Sequence, residues 1–207
     1  MKRITPFSRA ALAAATLLSM AACSSGTPEA EPAAQADSQP APAAQPQPQA
    51  GAQQQPASPR DTAEMTYAGE RILVDYGRPY MRGRTIMGGL VPYGQVWRTG
   101  ANAATTLVTP RDLRIGGTPV PAGTYTLYTL PGEREWQLII NRQTGQWGTE
   151  YDQSQDLVRI PMRVEPTMAP VEQFTINLMA GSPATLSLEW ENTRASVPVE
   201  IPSPGGA

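Results

Sequence analysis

The chain has 207 residues, enough for one or two domains by length, with a formal charge of −2 and no histidine. The missing histidine removes Ser-His-Asp triads, histidine zinc sites and histidine general bases from the available chemistry. A mildly acidic chain without a lysine-rich run also lacks the electrostatic footprint needed for nucleic acid or anionic headgroups.

Met1-Lys2-Arg3 forms a positive start, and Ala10 to Ala22 forms an apolar run too short to span a bilayer. Together they predict a signal peptide over residues 1–22. The run ends Ser19-Met20-Ala21-Ala22-Cys23, which resembles the bacterial lipoprotein box, with Met20 where that box usually has Leu. Cys23 is the single cysteine of the chain, so it has no internal disulfide partner, and lipidation is the role its position predicts. By the sorting rule of such lipoproteins, Ser24 implies the outer membrane, facing the periplasm or the cell surface. Cleavage before Cys23 would leave 13 arginines, no lysine and 18 carboxylates, a balance of −5. The all-arginine cation set fits compositional bias or selection for guanidinium chemistry.

Residues 23–62 are dominated by Ala, Pro and Gln, as in Gln39-Pro40-Ala41-Pro42 and Gln45-Pro46-Gln47-Pro48. Such a segment has too little apolar surface to offset its ordering entropy, which predicts a disordered, extended tether. A single domain is expected over residues 63–203, long enough to fold without staples.

In that domain the hydrophobic period is two. Runs at Arg71 to Tyr76, Thr105 to Thr109, Thr124 to Leu130 and Trp136 to Asn141 are rich in β-branched and aromatic residues. Further on, Val158, Ile160, Met162 and Val164 alternate with polar residues or proline. Phe174, Ile176 and Leu178 do the same, as do Leu186, Leu188 and Trp190, before a last run from Ala195 to Ile201. Ile115-Gly116-Gly117-Thr118, Pro121-Ala122-Gly123 and Pro131-Gly132-Glu133 supply turns. No long helical stripe interrupts them. The fold class predicted is all-β, an antiparallel β-sandwich of about eight or nine strands with one long structured loop. That loop covers about 28 residues, Gly77 to Ala104, and carries its own apolar anchors, among them Ile86, Val91 and Trp97.

The loop also carries a specific likeness. Gly83-Arg84, Gly88-Gly89-Leu90-Val91-Pro92-Tyr93-Gly94 and Val96-Trp97-Arg98-Thr99-Gly100-Ala101-Asn102 resemble the signature of a bacterial family called domain of unknown function 2911 (DUF2911). Pro121-Ala122-Gly123-Thr124-Tyr125, Gln146-Trp147-Gly148 and Trp190-Glu191-Asn192-Thr193-Arg194 continue the match, which extends over about residues 63 to 201. The resemblance implies a secreted or lipid-anchored β-rich domain and brings no activity with it.

Three constellations can carry chemistry. Arg78, Arg82, Arg84 and Arg98, interleaved with Tyr80, Tyr93 and Trp97 and followed by Asn102, make an anion site if they converge. If instead each pairs with a carboxylate such as Asp75 or with loop carbonyls, they staple the loop to the sheet. Trp97, Trp136, Trp147 and Tyr151 offer an aromatic platform for a sugar, with Trp147 the best placed for exposure and Trp136 and Trp190 in phase with the core. Asp75, Glu150, Asp152 and Asp156 are the acids available for a carboxylate pair of glycosidase type. No catalytic residue, metal site or cofactor is singled out. The sequence thus predicts a lipid-anchored envelope protein whose module binds an anionic small molecule, a cell-wall glycan or a protein partner, with no nucleic acid. A carboxylate-dependent hydrolase of envelope glycans and a purely structural module are the alternatives.

Overall fold

The structure is a computed structural model and describes residues 57–202. The signal peptide, Cys23 and nearly all of the tether lie outside the described residues. Nine strands form one antiparallel sheet: β1 (Arg60–Tyr67), β2 (Glu70–Gly77), β3 (Thr105–Thr109), β4 (Leu113–Ile115), β5 (Thr118–Val120), β6 (Gly123–Leu130), β7 (Glu135–Asn141), β8 (Asp156–Met179) and β9 (Ala184–Glu200). Their order across the sheet is β1-β2-β3-β6-β7-β8-β9-β4-β5. The domain is all-β, as its alternation predicts. Among the described residues no helix is long and apolar enough to cross a membrane.

The strand boundaries differ from the sequence reading in three places. Residues 60–62, read as tether, already belong to β1, where Arg60, Asp61 and Thr62 pair with Gly77, Tyr76 and Asp75. Ile115 and Thr118 flank a two-residue turn, Gly116-Gly117, with φ of 56° and 78°; the positive values at both centres are what a tight hairpin turn requires. That turn joins β4 to β5. Finally, the alternating runs after residue 156 merge into two long strands. β8 shifts register between Pro166 and Val171 and again before Thr175, and the four residues between Pro166 and Val171 face a single residue, Asn192, on β9. Such irregularities bend a strand. The first part of β8 pairs with both β7 and β9, while its last part, Thr175–Met179, pairs in register with β9 alone.

The bend brings the second half of β8 to the end of β2. The Tyr76 hydroxyl accepts from the Ile176 amide at 3.0 Å and lies 3.3 Å from its carbonyl oxygen, as donor. Beyond β2 the chain continues as a backbone seam, with Phe174 N–H donating to the Pro79 carbonyl at 2.9 Å and Met81 N–H to the Glu172 carbonyl at 2.8 Å. Between these faces lies a core that includes Ile72, Val74, Leu107, Leu127, Leu138, Ile140, Ile160, Ile176, Leu188 and Val197, all buried. Burying such side chains is worth roughly 1.5–3 kcal/mol each before entropy is charged against it.

Candidate functional site

The segment between β2 and β3 is a tightly bonded structure without a regular strand. Gly77 passes so close to the Ala101 carbonyl that a Cβ there would lie 2.1 Å from the oxygen, so this crossing excludes any other residue. Ile86 and Val91 are fully buried and anchor the middle of the loop. Glu191, at the bend of β9 with φ of 54°, turns its carboxylate onto the Ile86 and Met87 amides at 3.3 and 3.0 Å. Trp97 then joins the sheet, exchanging both backbone hydrogen bonds with Thr129 of β6 at 2.7 and 2.9 Å. The Asn102 carbonyl accepts from the Gly148 amide at 3.0 Å, which fastens the loop's end.

Trp97 is the hub of an aromatic cluster. Its ring stacks on Trp190 at 5.8 Å and meets Trp136 and Phe174 edge-on at 6.4 and 5.0 Å. Offset stacks and edge-on contacts of this kind add roughly 0.5–1.5 kcal/mol per pair to the area buried. Trp136 and Trp190 are buried, and Trp97 is half-buried.

The half-open side of this cluster is the floor of a recess of about 370 Å³. Pro79, Ala101, Trp97 and Trp190 lie at its base, and Arg82, Arg84, Arg98, Leu90 and Asn102 also line it. No Asp or Glu does. Arg84 spends Nε and Nη2 on the Met81 and Tyr80 carbonyls at 2.9 and 2.6 Å, and Arg98 spends Nε on the Gly100 carbonyl at 3.1 Å. Among the described residues the Arg98 Nη groups have no acceptor, and the Arg82 guanidinium has only the Tyr80 ring, 6.0 Å away. Three cations thus share one recess whose described walls hold no carboxylate. Guanidinium forks so placed accept a carboxylate or phosphate in two-point contact.

Other residues singled out by the sequence lie elsewhere. Arg78 is a staple: Nε donates to the Phe174 carbonyl at 3.1 Å, Nη2 to Thr175 Oγ1 at 2.9 Å and Nη1 to Asp61 at 2.8 Å. Tyr93 is exposed and sits over Gly88. Trp147 is 51 % exposed and adjoins a smaller recess of about 170 Å³ through its neighbour Gly148. That recess shares Trp97 and Arg98 with the larger one and adds Tyr128, Thr149 and Tyr151. The Tyr128 and Tyr151 rings meet at 4.8 Å.

None of the four candidate acids lines either recess. Asp75 pairs with Arg60 across β1 and β2. Asp152 accepts from the Ser154 amide and hydroxyl at 2.8 and 2.7 Å, and these bonds hold its carboxyl below the usual range. Asp156 is tied to Tyr151 at 2.7 Å, Arg159 at 3.0 Å and Asn141 at 2.9 Å. Burial, then the hydrogen bond to Asp156, pushes the Tyr151 phenol up to about 12. Burial also raises the Tyr128 phenol.

The sequence reading did not include Pro79, Leu90, Ala101 or Trp190 in the site. Trp190 follows the apolar phase of β9, and nothing in its spacing reveals that a loop tryptophan stacks on it 93 residues earlier. A further recess of about 400 Å³ lies among Met65 to Tyr67, Ala180 to Ala184 and Val199 to Ile201, but among the described residues Glu200 is its single charged group and no cation lines it.

Residues 58–199 match the family described as protein of unknown function (DUF2911), and the chain belongs to that family. No curated protein and no solved structure matches the chain.

Proposed function

We propose that this DUF2911 domain is a non-catalytic binding module for a small anionic ligand with a flat or ring-shaped body, carried on the bacterial envelope by a lipid on Cys23. The observation behind the reading is the recess of Arg82, Arg84 and Arg98 over the Trp97 and Trp190 rings, without a carboxylate in its walls. Apolar concavities with a few convergent polar groups are the usual form of small-ligand sites. The rings take the ligand's body and the guanidinium groups its charge. Binding is favoured over hydrolysis because Asp75, Asp152 and Asp156 are each held by a structural partner, away from this recess.

The test is thermal unfolding of the full chain with D-galacturonate, glucose 1-phosphate or neutral glucose. A ligand at 100 times its Kd stabilises the fold by roughly 2.7 kcal/mol. The acidic sugars are expected to raise the melting temperature, glucose is not, and the rise is lost in Arg82→Ala and Arg98→Gln. No shift with either anion, or a shift unchanged in both variants, overturns the reading.

A further inference from the structure

We infer that the ligand is an acidic oligosaccharide that crosses Arg98, placing one acidic sugar ring in the larger recess and the next in the smaller. This rests on the anion-binding reading and extends it to a second subsite. The two recesses have Trp97 and Arg98 in common, so these side chains form the partition between them. Arg98 is fixed there: its Nε donates to the Gly100 carbonyl, and its aliphatic stem packs so closely on Gly148 that a Cβ on that residue would lie 2.9 Å from Arg98 Cδ. Its Nη groups are left to face a ligand.

Each recess also has one partly exposed ring, Trp97 on one side and Tyr151 on the other, backed by the buried Trp190 and Tyr128. Among the described residues no acid lines either recess. A chain of pyranose rings with one carboxylate per ring meets both requirements, because its rings stack on the aromatic surfaces while successive carboxylates reach Arg82 and Arg84, then Arg98. An acidic peptide fits less well. Extended peptides bind by completing a free strand edge, and here the backbone is already paired: Trp97 with Thr129, Asn102 with Gly148, and Ala104 with Gln146.

The experiment is calorimetric titration of the full chain with mono-, di- and tetragalacturonate, with glucose 1-phosphate and tetraglutamate as comparisons. Digalacturonate is expected to bind roughly ten-fold more tightly than the monomer, since the second ring binds at the effective concentration set by the first. Thr149→Trp, which fills the smaller recess, should erase that gain; Thr149→Gln replaces it if the tryptophan variant fails to fold. Equal affinity at all lengths, a gain that survives filling of the recess, or tighter binding of tetraglutamate overturns the inference. In those cases binding of the monomer still supports the anion site. Binding of glucose 1-phosphate without any uronate likewise overturns the oligosaccharide alone, and no binding of any anion overturns both.

Discussion

Arg78 and Arg82 stand four residues apart with the same side chain and do opposite work. The Arg78 guanidinium donates to β8 and Asp61 from all three of its nitrogens, whereas the Arg82 guanidinium donates to no protein acceptor among the described residues and only its backbone amide is bonded, to Glu172 Oε1 at 2.9 Å. Arg78→Ala should cost about 2–3 kcal/mol in urea unfolding, the scale of lost charge-assisted hydrogen bonds. Arg82→Ala should stay within about 0.5 kcal/mol, as exposed substitutions do. The reverse ranking would reassign both residues. Sequence spacing groups these arginines but cannot separate them, because the partners of Arg78 at Phe174 and Thr175 lie 96 and 97 residues away. Tyr151 allows a second test at this scale. Its phenol, near 10 when unfolded, is held at about 12 in the fold, so above pH 10 the unfolded chain loses the proton first. The sign is therefore a loss of stability as pH rises from about 10 towards 12. Burial raises Tyr76 and Tyr128 as well, in the same sense. Tyr151→Phe should lower the neutral-pH stability by about 1–2 kcal/mol, through the lost bonds to Asp156 and Arg159, and flatten the alkaline slope. An unchanged slope in melting temperature against pH would contradict this.

At the scale of elements, the loop from Gly77 to Ala104 depends on the bend of β9. Glu191→Ala removes the acceptor of the Ile86 and Met87 amides and should cost about 2 kcal/mol. Amide exchange at these two positions should quicken before the rest of the sheet responds, with Glu191→Gln intermediate; uniform exchange would place the loop's anchor elsewhere. The sequence shows a kink here only indirectly. Period-two alternation identifies Val158 to Val164 and Phe174 to Leu178 as strand, but not that the residues between them stay in the same strand and bulge outward opposite Asn192. The number of strands agrees with the expectation while their membership does not: β1, β4 and β5 replace the divisions expected within β8 and β9. Three-residue strands such as β4 are too short to show a period, whereas their Gly-Gly turn is visible. The loop's importance was legible from its length and anchors, and its path was not, since Trp97 pairs with Thr129 across sequence that contains all of β3, β4 and β5.

Over the whole molecule the charge is mildly negative and the cations of the described domain are all arginine, three of which line one recess with no acid among its described lining residues. The proposed anchor is tested separately: Cys23→Ala should move the protein from the detergent fraction to the soluble fraction, and continued membrane association would remove the lipid from the account. An anion is expected to bind in the recess over Trp97. The most direct test is a nitrogen–proton correlation spectrum of the labelled chain titrated with D-galacturonate, which follows the four tryptophan indoles and the arginine Nε groups together. Trp97, Arg82, Arg84 and Arg98 are expected to move, with Arg78 and the exposed Trp147 still. Movement confined to Trp147, or a spectrum with no arginine displaced, would contradict it.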